Sequence, residues 1–395
     1  MSTIVIAGGG IGGLATALAV TDAGHEAVVL ERQSRFAELG AGIQLAPNAF
    51  RALDRLGVGA AVRERANFID ELRLMDAVSG EAIVRLPLGT AFRHRFGNPY
   101  AVVHRGDLYE HLLRACRARS AVRLRADATV VGYDADDVRV AVHLDSGESV
   151  TGDALVGADG LRSTVRAALV GDGPPRISGH TIYRSVIPIA EVPEDLRWNA
   201  ATLWGGPDLH IVHYPINGWR SYNLAATVDD GAQEAVSGEP VDGDQVLAAF
   251  AGVVDSPRRL LERGRDWRRW VLCDRDPVTA WAQGRVVLLG DAAHPMLQYA
   301  AQGAAMALED AVCLGEQLAR PVDVAEAFAR FAALRQDRTA RVQVISRRLG
   351  DEVYHPRDDA ARRRNAQLGA LTEDDLYGML DWLYCPDSSW VGARG

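Results

Sequence analysis

Cysteine is scarce in this chain, and its placement excludes two roles. The four cysteines, Cys116, Cys273, Cys313 and Cys385, form no C-x-x-C pair and have no histidine at ligand spacing. Neither a disulfide framework nor a structural zinc is expected, and a reducing cytoplasm fits. Basic charge is also in deficit: 43 Arg and Lys against 52 Asp and Glu leave a formal charge of -9, which argues against a nucleic-acid partner. Long apolar runs are missing too, since no segment reaches the roughly 18 uninterrupted apolar residues of a membrane span. The apolar start Ile4–Val20 has no basic stretch before it and is broken by Gly8, Gly9, Gly10, Gly12 and Gly13, so it reads as strand and helix rather than leader peptide. Repeats and low-complexity tracts are absent. What remains, 48% hydrophobic and 24% charged over 395 residues, describes a globular enzyme of two or three domains or one large composite.

The first thirty residues form a βαβ opening. Thr3 to Ala7 is a buried strand, Gly8, Gly10 and Gly13 fit G-x-G-x-x-G, Leu14 to Thr21 continues as helix, and Ala27 to Leu30 is the next strand. Gly8 permits the tight turn, Gly10 lets a pyrophosphate approach the backbone, and Gly13 lets helix and strand pack closely. Glu31 ends the second strand about 20 residues on, where an acceptor for a ribose hydroxyl belongs. No second G-x-G-x-x-G followed by an acid is present, so a separate nicotinamide-binding Rossmann domain is not expected.

Two later stretches narrow the chemistry. Ala154 to Arg166, ALVGADGLRSTVR, reads as strand, Asp159-Gly160 turn and a helix with Ser163 as N-cap. Arg285 to Asp310, RVVLLGDAAHPMLQYAAQGAAMALED, reads as a buried strand with Gly290-Asp291 at its carboxyl end, then a loop of small residues feeding a helix N-terminus. The glycine fingerprint with Glu31, the Asp159-Gly160 turn and Gly290-Asp291, in that order, resemble the single-component FAD-dependent aromatic hydroxylases, the class A flavoprotein monooxygenases. The likeness runs from Ile4 to about Leu318.

That resemblance implies a mixed α/β (α+β) fold: a Rossmann-like βαβ FAD-binding domain, an interleaved β-sheet substrate domain and C-terminal helices. Residues 1–75, 100–175 and 275–320 fall to the FAD-binding domain, 76–99 and 176–274 to the substrate domain, and 321–395 to the helical region. It implies Gly8, Gly10, Gly12 and Gly13 at the FAD pyrophosphate and Glu31 with Arg32 at the adenosine ribose. Arg105 falls near the phosphates and ribityl chain, Asp159 where FAD and reductant pass, and Asp291 at the ribityl hydroxyls. Backbone of Ala301, Gln302 and Gly303 faces the flavin pyrimidine edge, and the loop Gly42 to Asn48, with Gly42 and Ile43, is where the flavin moves. The partners implied are a small aromatic acid, O2 and NAD(P)H, with NADH the expected reductant and NADPH the alternative. The oxygen donor is a C4a-hydroperoxide of the reduced flavin. A homodimer is compatible.

The protein's part is to exclude water and to withdraw the phenol's proton. Strand periodicity puts His210, Val212 and Tyr214 on one face of Leu209 to Pro215 and Ile211 with His213 on the other, so His210 and Tyr214 lead as catalytic candidates and His213 follows. Gln302 resembles a glutamine that some relatives present to substrate. Arg184 and Arg220 are candidates for the substrate carboxylate. The runs Gly40 to Ala49, His210-x-x-His213-Tyr214-Pro215 and Leu297 to Gly303 together look like the 3-hydroxybenzoate 6-hydroxylases, with salicylate hydroxylases and hydroxylases of larger phenols as neighbours. A flavoprotein that oxidises or reduces without hydroxylating is the alternative of another class. Thr181 to Val228 reads as a meander with turns at Gly205-Gly206 and Asn217-Gly218. Val324 to Leu349 reads as a helix burying Phe328, Phe331, Leu334 and Val342, with its arginines solvated.

Overall fold

The computed structural model describes residues 1–37 and 41–385. Gly40, at the start of the Gly40 to Ala49 run singled out above, lies outside them. The fold is mixed α/β, as expected, and is organised by two sheets.

The first sheet has six strands in the order Ala282–Gln283, Val286–Leu288, Ala154–Gly157, Thr3–Ala7, Glu26–Leu30 and Val122–Arg125. All neighbours are parallel except the first pair. Its central strands, IVIA, AVVL and ALVG, are buried almost throughout, because helices cover both faces. Gly303–Leu318 packs on Ile11–Asp22, and Gly315 permits it: a Cβ there would meet the Ala19 backbone oxygen at 2.9 Å. Glycine fingerprint, Asp159 turn and Gly290-Asp291 all emerge at the carboxyl ends of neighbouring strands, where open α/β sheets bind ligands.

The second sheet has eight strands, from Ser237–Pro240 through Arg268–Asp274, Arg176–Pro188, Ser221–Asp229, Leu209–Ile216, Ala200–Gly206 and Glu71–Asp76 to Ala82–Pro87. The Asn217-Gly218 turn opens a four-residue reversal between the paired Ile216 and Ser221, with Asn217, Gly218 and Trp219 at positive φ, 55°, 62° and 63°. Gly205-Gly206 is no turn. Both glycines pair within the strand, opposite His210 and Leu209, and the chain reverses at Pro207-Asp208, where Asp208 takes φ 58°. One face of this sheet, bearing Trp204 and Tyr222, packs with Phe250 and Trp267; the other turns toward the first sheet and the C-terminal helices.

The helix Val324–Arg348 buries Phe328, Phe331 and Val342, but Leu334 is 37% exposed. Nor are its arginines all solvated. Arg335 is fully buried and reaches Glu309 at 2.8 Å and Asp310 at 2.6 Å, both on Gly303–Leu318. Periodicity alone assigns such a cation to water; its placement depends on two acids of another helix, invisible within its own window. No described helix is long and apolar enough to cross a membrane.

Candidate active site

The glycine loop has the packing its spacing predicts. A Cβ on Gly8, which sits at φ 104°, would collide with the Ala158 backbone, and one on Gly13 with the carbonyl of Gly8. Gly12 lies against Leu289 and Ala307, while Gly10 faces open space at the N-terminus of Ile11–Asp22. Tight backing on one side and vacant approach to unpaired helix amides on the other suit a pyrophosphate. Glu31 braces the loop: its Oε2 accepts from Gly9 N at 2.9 Å and its Oε1 from Gln33 N at 2.9 Å. Arg32 stands exposed beside it.

Asp159 anchors the next loop. Its carboxylate accepts from the Ser163 hydroxyl, from Thr164 N at 2.8 Å and from Val165 N at 3.3 Å, while Ser163 caps Thr164–Leu169 through Arg166 N. Burial pushes the Asp159 carboxyl up, and these hydrogen bonds only partly oppose it. Arg166, fully buried, pairs with Asp172 and donates to the carbonyls of Ala292 (3.0 Å) and Ala293 (2.6 Å). It thereby ties the Asp159 segment to the Asp291 turn, a link that sequence reasoning missed. Asp291 is exposed and its Oδ1 lies 3.9 Å from where a Gly303 Cβ would stand, so it borders the N-terminus of Gly303–Leu318. Ala301 is left-handed, φ 51°. Gln302 is 1% exposed, with its Oε1 accepting from Asn48 Nδ2 at 2.9 Å and its Nε2 unpaired. Gln302 thus lies behind the loop, and the neighbouring Gln298 is the glutamine that meets Arg184.

The large sheet supplies a third wall. Its register sets Ile182, Thr227 and His210 in one row, Arg184, Ala225 and Val212 in the next, and Val186, Asn223 and Tyr214 in the third, all on one face. Gly42 N donates to Asn223 Oδ1 at 2.9 Å, and a Cβ on Gly42 would strike the Tyr214 ring. The strand Gly42–Leu45, with Ile43 half-buried, is therefore pressed onto this face. Arg105 opens the helix after Ala101–His104, and its amide donates to Ala41 O at 3.0 Å. Arg184 is half-buried, with Gln298, a neutral amide, as hydrogen-bond acceptor and the Trp270 ring 5.8 Å away. Burial and then Arg105 lower its pKa, Tyr214 opposing. Arg220, by contrast, is exposed and bonds the Asn217 carbonyl at the far hairpin turn.

His210 and Tyr214 share this face and His213 takes the other. His213 accepts from Trp204 Nε1 at 2.9 Å and packs on Trp198 and Tyr222; burial pushes it down to about 3. His210 joins a buried group that the sequence did not disclose: His180, Tyr299, Tyr354 and His355. His210 Nδ1 lies 2.7 Å from His355 Nε2, the Tyr299 hydroxyl bonds His180, and Tyr354 donates to the Tyr299 carbonyl at 2.9 Å. Burial holds His210 well below its usual range and raises the Tyr214 and Tyr299 phenols, so the site presents neutral imidazole and neutral phenol at neutral pH. The hairpin register, which sets His180 against Asp229 beside the His210 row, is the sequence-derivable signal for His180; none existed for His355.

Residues 1–348 match the FAD binding domain family. The chain belongs to that family. The 3-hydroxybenzoate 6-hydroxylase 1 of Aquipseudomonas alcaligenes is 48% identical over 383 residues, covering 97% of each chain. The 3-hydroxybenzoate 6-hydroxylase of Klebsiella oxytoca is 46% identical, covering 96% of each. A solved salicylate hydroxylase substrate complex superposes with TM-score 0.83 at 25% identity, covering 97% of this chain and 95% of that one. As an FAD-family protein the chain fits its cofactor by its own geometry: open space before Gly10, and the unpaired buried Nε2 of Gln302 beside the loop that ends in Gly303.

The contact between Gly42 and Tyr214 yields a test. Gly42→Ala is expected to displace the Tyr214 ring and raise the KM for the aromatic acid, measured on the FAD-loaded fraction, by on the order of tenfold or more. Steady-state kinetics with flavin quantitation decide it; an unaltered KM would refute the placement.

Proposed function

We propose that this chain hydroxylates 3-hydroxybenzoate at C6, giving gentisate, with FAD as cofactor and O2 and NAD(P)H consumed, NADH being the reductant we favour. The observation that carries this reading is one sheet face holding a cation and a neutral base in different rows. Arg184 meets a neutral amide rather than a carboxylate, and a desolvated guanidinium in that state suits an anionic substrate group. His210, two positions along and two strands across, is free at Nε2 to accept a hydroxyl proton. Separate rows suit a ring whose carboxylate and hydroxyl stand apart, better than salicylate, where they are adjacent. The names of the two near relatives support the same substrate.

FAD would be held by Gly8, Gly10, Gly12 and Gly13 at the pyrophosphate, by Glu31 and Arg32 at the adenosine end, by Arg105, Asp159 and Asp291 along the chain, and by Gly42, Ile43 and the Ala301–Gly303 backbone at the ring. Bound there, it activates oxygen for transfer to the substrate. The chain's own residues do the rest. Arg184 fixes the carboxylate, Tyr214 donates to the ring substituent, His210 takes the hydroxyl proton and so raises electron density at the ring, and the aromatic walls of Tyr299 and Tyr354 keep water out. A cytoplasmic, homodimeric enzyme is part of the proposal.

The test is aerobic turnover with NADH over the three monohydroxybenzoates and product identification by chromatography. Gentisate from 3-hydroxybenzoate is expected. Catechol from salicylate as the main product, or NADH oxidation without any hydroxylated product, would overturn the assignment.

A further inference from the structure

The two ring nitrogens of His210 are not equivalent. Nδ1 is 2.7 Å from Nε2 of His355, and the rings stack with centroids 5.0 Å apart at 27°. Both are buried, 2% and 7% exposed. A hydrogen bond between two imidazoles holds one proton, so the tautomer of one ring fixes that of the other. Nε2 of His210 makes no hydrogen bond among the described residues. His355 follows the π-helix Leu349–Tyr354, and its backbone is pinned at both ends: its amide donates to Gly350 O at 2.9 Å and its carbonyl accepts from Asp208 N at 3.4 Å. An apolar side chain would fill this space at lower desolvation cost than a paired imidazole, so packing alone does not account for a histidine.

We propose that His355 is the second station of a proton relay that carries the substrate's hydroxyl proton from His210 to solvent, a reading that rests on the aromatic-acid hydroxylase function above. In the resting pair, His210 carries its proton on Nδ1 and His355 carries its own on Nδ1. The substrate O–H bond breaks as its proton joins His210 Nε2. The His210 Nδ1 proton passes to His355 Nε2, and the His355 Nδ1 proton passes to water at the surface beside Asp208. One proton enters, one leaves, and no electrons move between groups. The pair ends in the opposite tautomer, with His210 Nε2–H donating to the new phenolate, and the reverse transfer reprotonates the product oxygen. Because burial holds His355 down at about 4 and holds His210 well below the usual imidazole range, neither ring keeps the proton at neutral pH, and the pair transmits it. The titratable and charged groups facing the pair are His180, Tyr299 and Tyr354 on the inner side and Asp208, Asp229 and Arg357 toward solvent. His355 acts through His210, so it is a positioning residue.

The test uses His355→Gln in the FAD-loaded enzyme, a variant whose amide oxygen can still accept from His210 Nδ1 but cannot pass a proton on. After a pH jump on the oxidised enzyme with bound 3-hydroxybenzoate, phenolate absorbance is expected to rise at least about tenfold more slowly than in the parent at pH 7. The hydroxylation pH profile is expected to move alkaline, where hydroxide replaces the relay, while substrate Kd and flavin reduction by NADH stay within about twofold. Unchanged phenolate kinetics and an unchanged profile overturn the relay. A proton inventory on the parent enzyme, in mixed light and heavy water, is independent of the variant's folding: a curved plot supports concerted transfer through the pair, and a linear one overturns it. Absence of gentisate from the parent enzyme would instead overturn the functional reading, so the two failures are distinguishable.

Discussion

Arg335→Met is expected to destabilise the protein by about 3–5 kcal/mol, because it removes the buried counter-charge shared by two buried carboxylates rather than merely deleting a contact. Arg335, Glu309 and Asp310 are all inaccessible to solvent, and Arg335 bonds both acids. Arg338 also pairs with Glu309 at 2.8 Å, and His294 bonds Asp310, so neither acid is wholly abandoned. What is lost is the charge that joins them. Glu309 accepts from Asn48 Nδ2 at 2.7 Å, and the same amide donates to Gln302, so the cluster reaches the loop that precedes Gly303. Weakened FAD retention should accompany the loss of stability. Burial raises the Asp310 carboxyl, but the charges of His294 and Arg335 and their hydrogen bonds outweigh it and leave it at about 2. A carboxyl whose folded pKa is depressed stabilises fully above its unfolded value near 4 and loses that contribution as pH falls toward 2. Acid unfolding of the variant should therefore begin at higher pH than in the parent. Urea unfolding at pH 7 and a fluorescence-monitored acid titration measure both; coincident curves for variant and parent would remove the cluster from any structural role.

His210→Gln should lower the hydroxylation rate by about 10²–10⁴-fold, the usual worth of a positioned acid–base group. NADH oxidation should continue, with its electrons diverted to hydrogen peroxide, since the substitution leaves the glycine loop and the Gly303 helix untouched. Gentisate formed per NADH consumed, with peroxide assayed in parallel, reads this directly. His213→Gln provides the contrast. His213 faces Trp204 and Tyr222 on the opposite side of the sheet, so its loss should reduce thermal stability and leave coupling near that of the parent. If His213→Gln uncouples the enzyme and His210→Gln does not, the assignment of faces is wrong.

Much of this was legible in the sequence because it is local. The βαβ opening, the Asp159 turn, the Ser163 cap and the alternation of His210, His213 and Tyr214 each depend on a window of a dozen residues. Hydrogen bonding and sterics within such a window nearly dictate the outcome. What stayed hidden depends on distant segments meeting. His355 lies 145 residues from His210, and Arg335 lies 25 from Asp310. A histidine after a helix, or an arginine on a polar helix face, carries no mark of its partner. The Gly205-Gly206 reading failed for a related reason: two glycines usually signal reversal, but here they let the strand run close beneath Tyr354, whose carbonyl a Gly205 Cβ would meet at 3.0 Å.

The candidate cofactor positions run from Gly8 to Gly303, and the matched family region ends at 348. Tyr354 and His355, which close the polar group around His210, come later in the chain. Synthesis therefore supplies the candidate cofactor-binding segments before the segment that completes the polar group around His210. Until that segment joins the sheet, the side of the candidate site beside His210 lacks two of its polar neighbours.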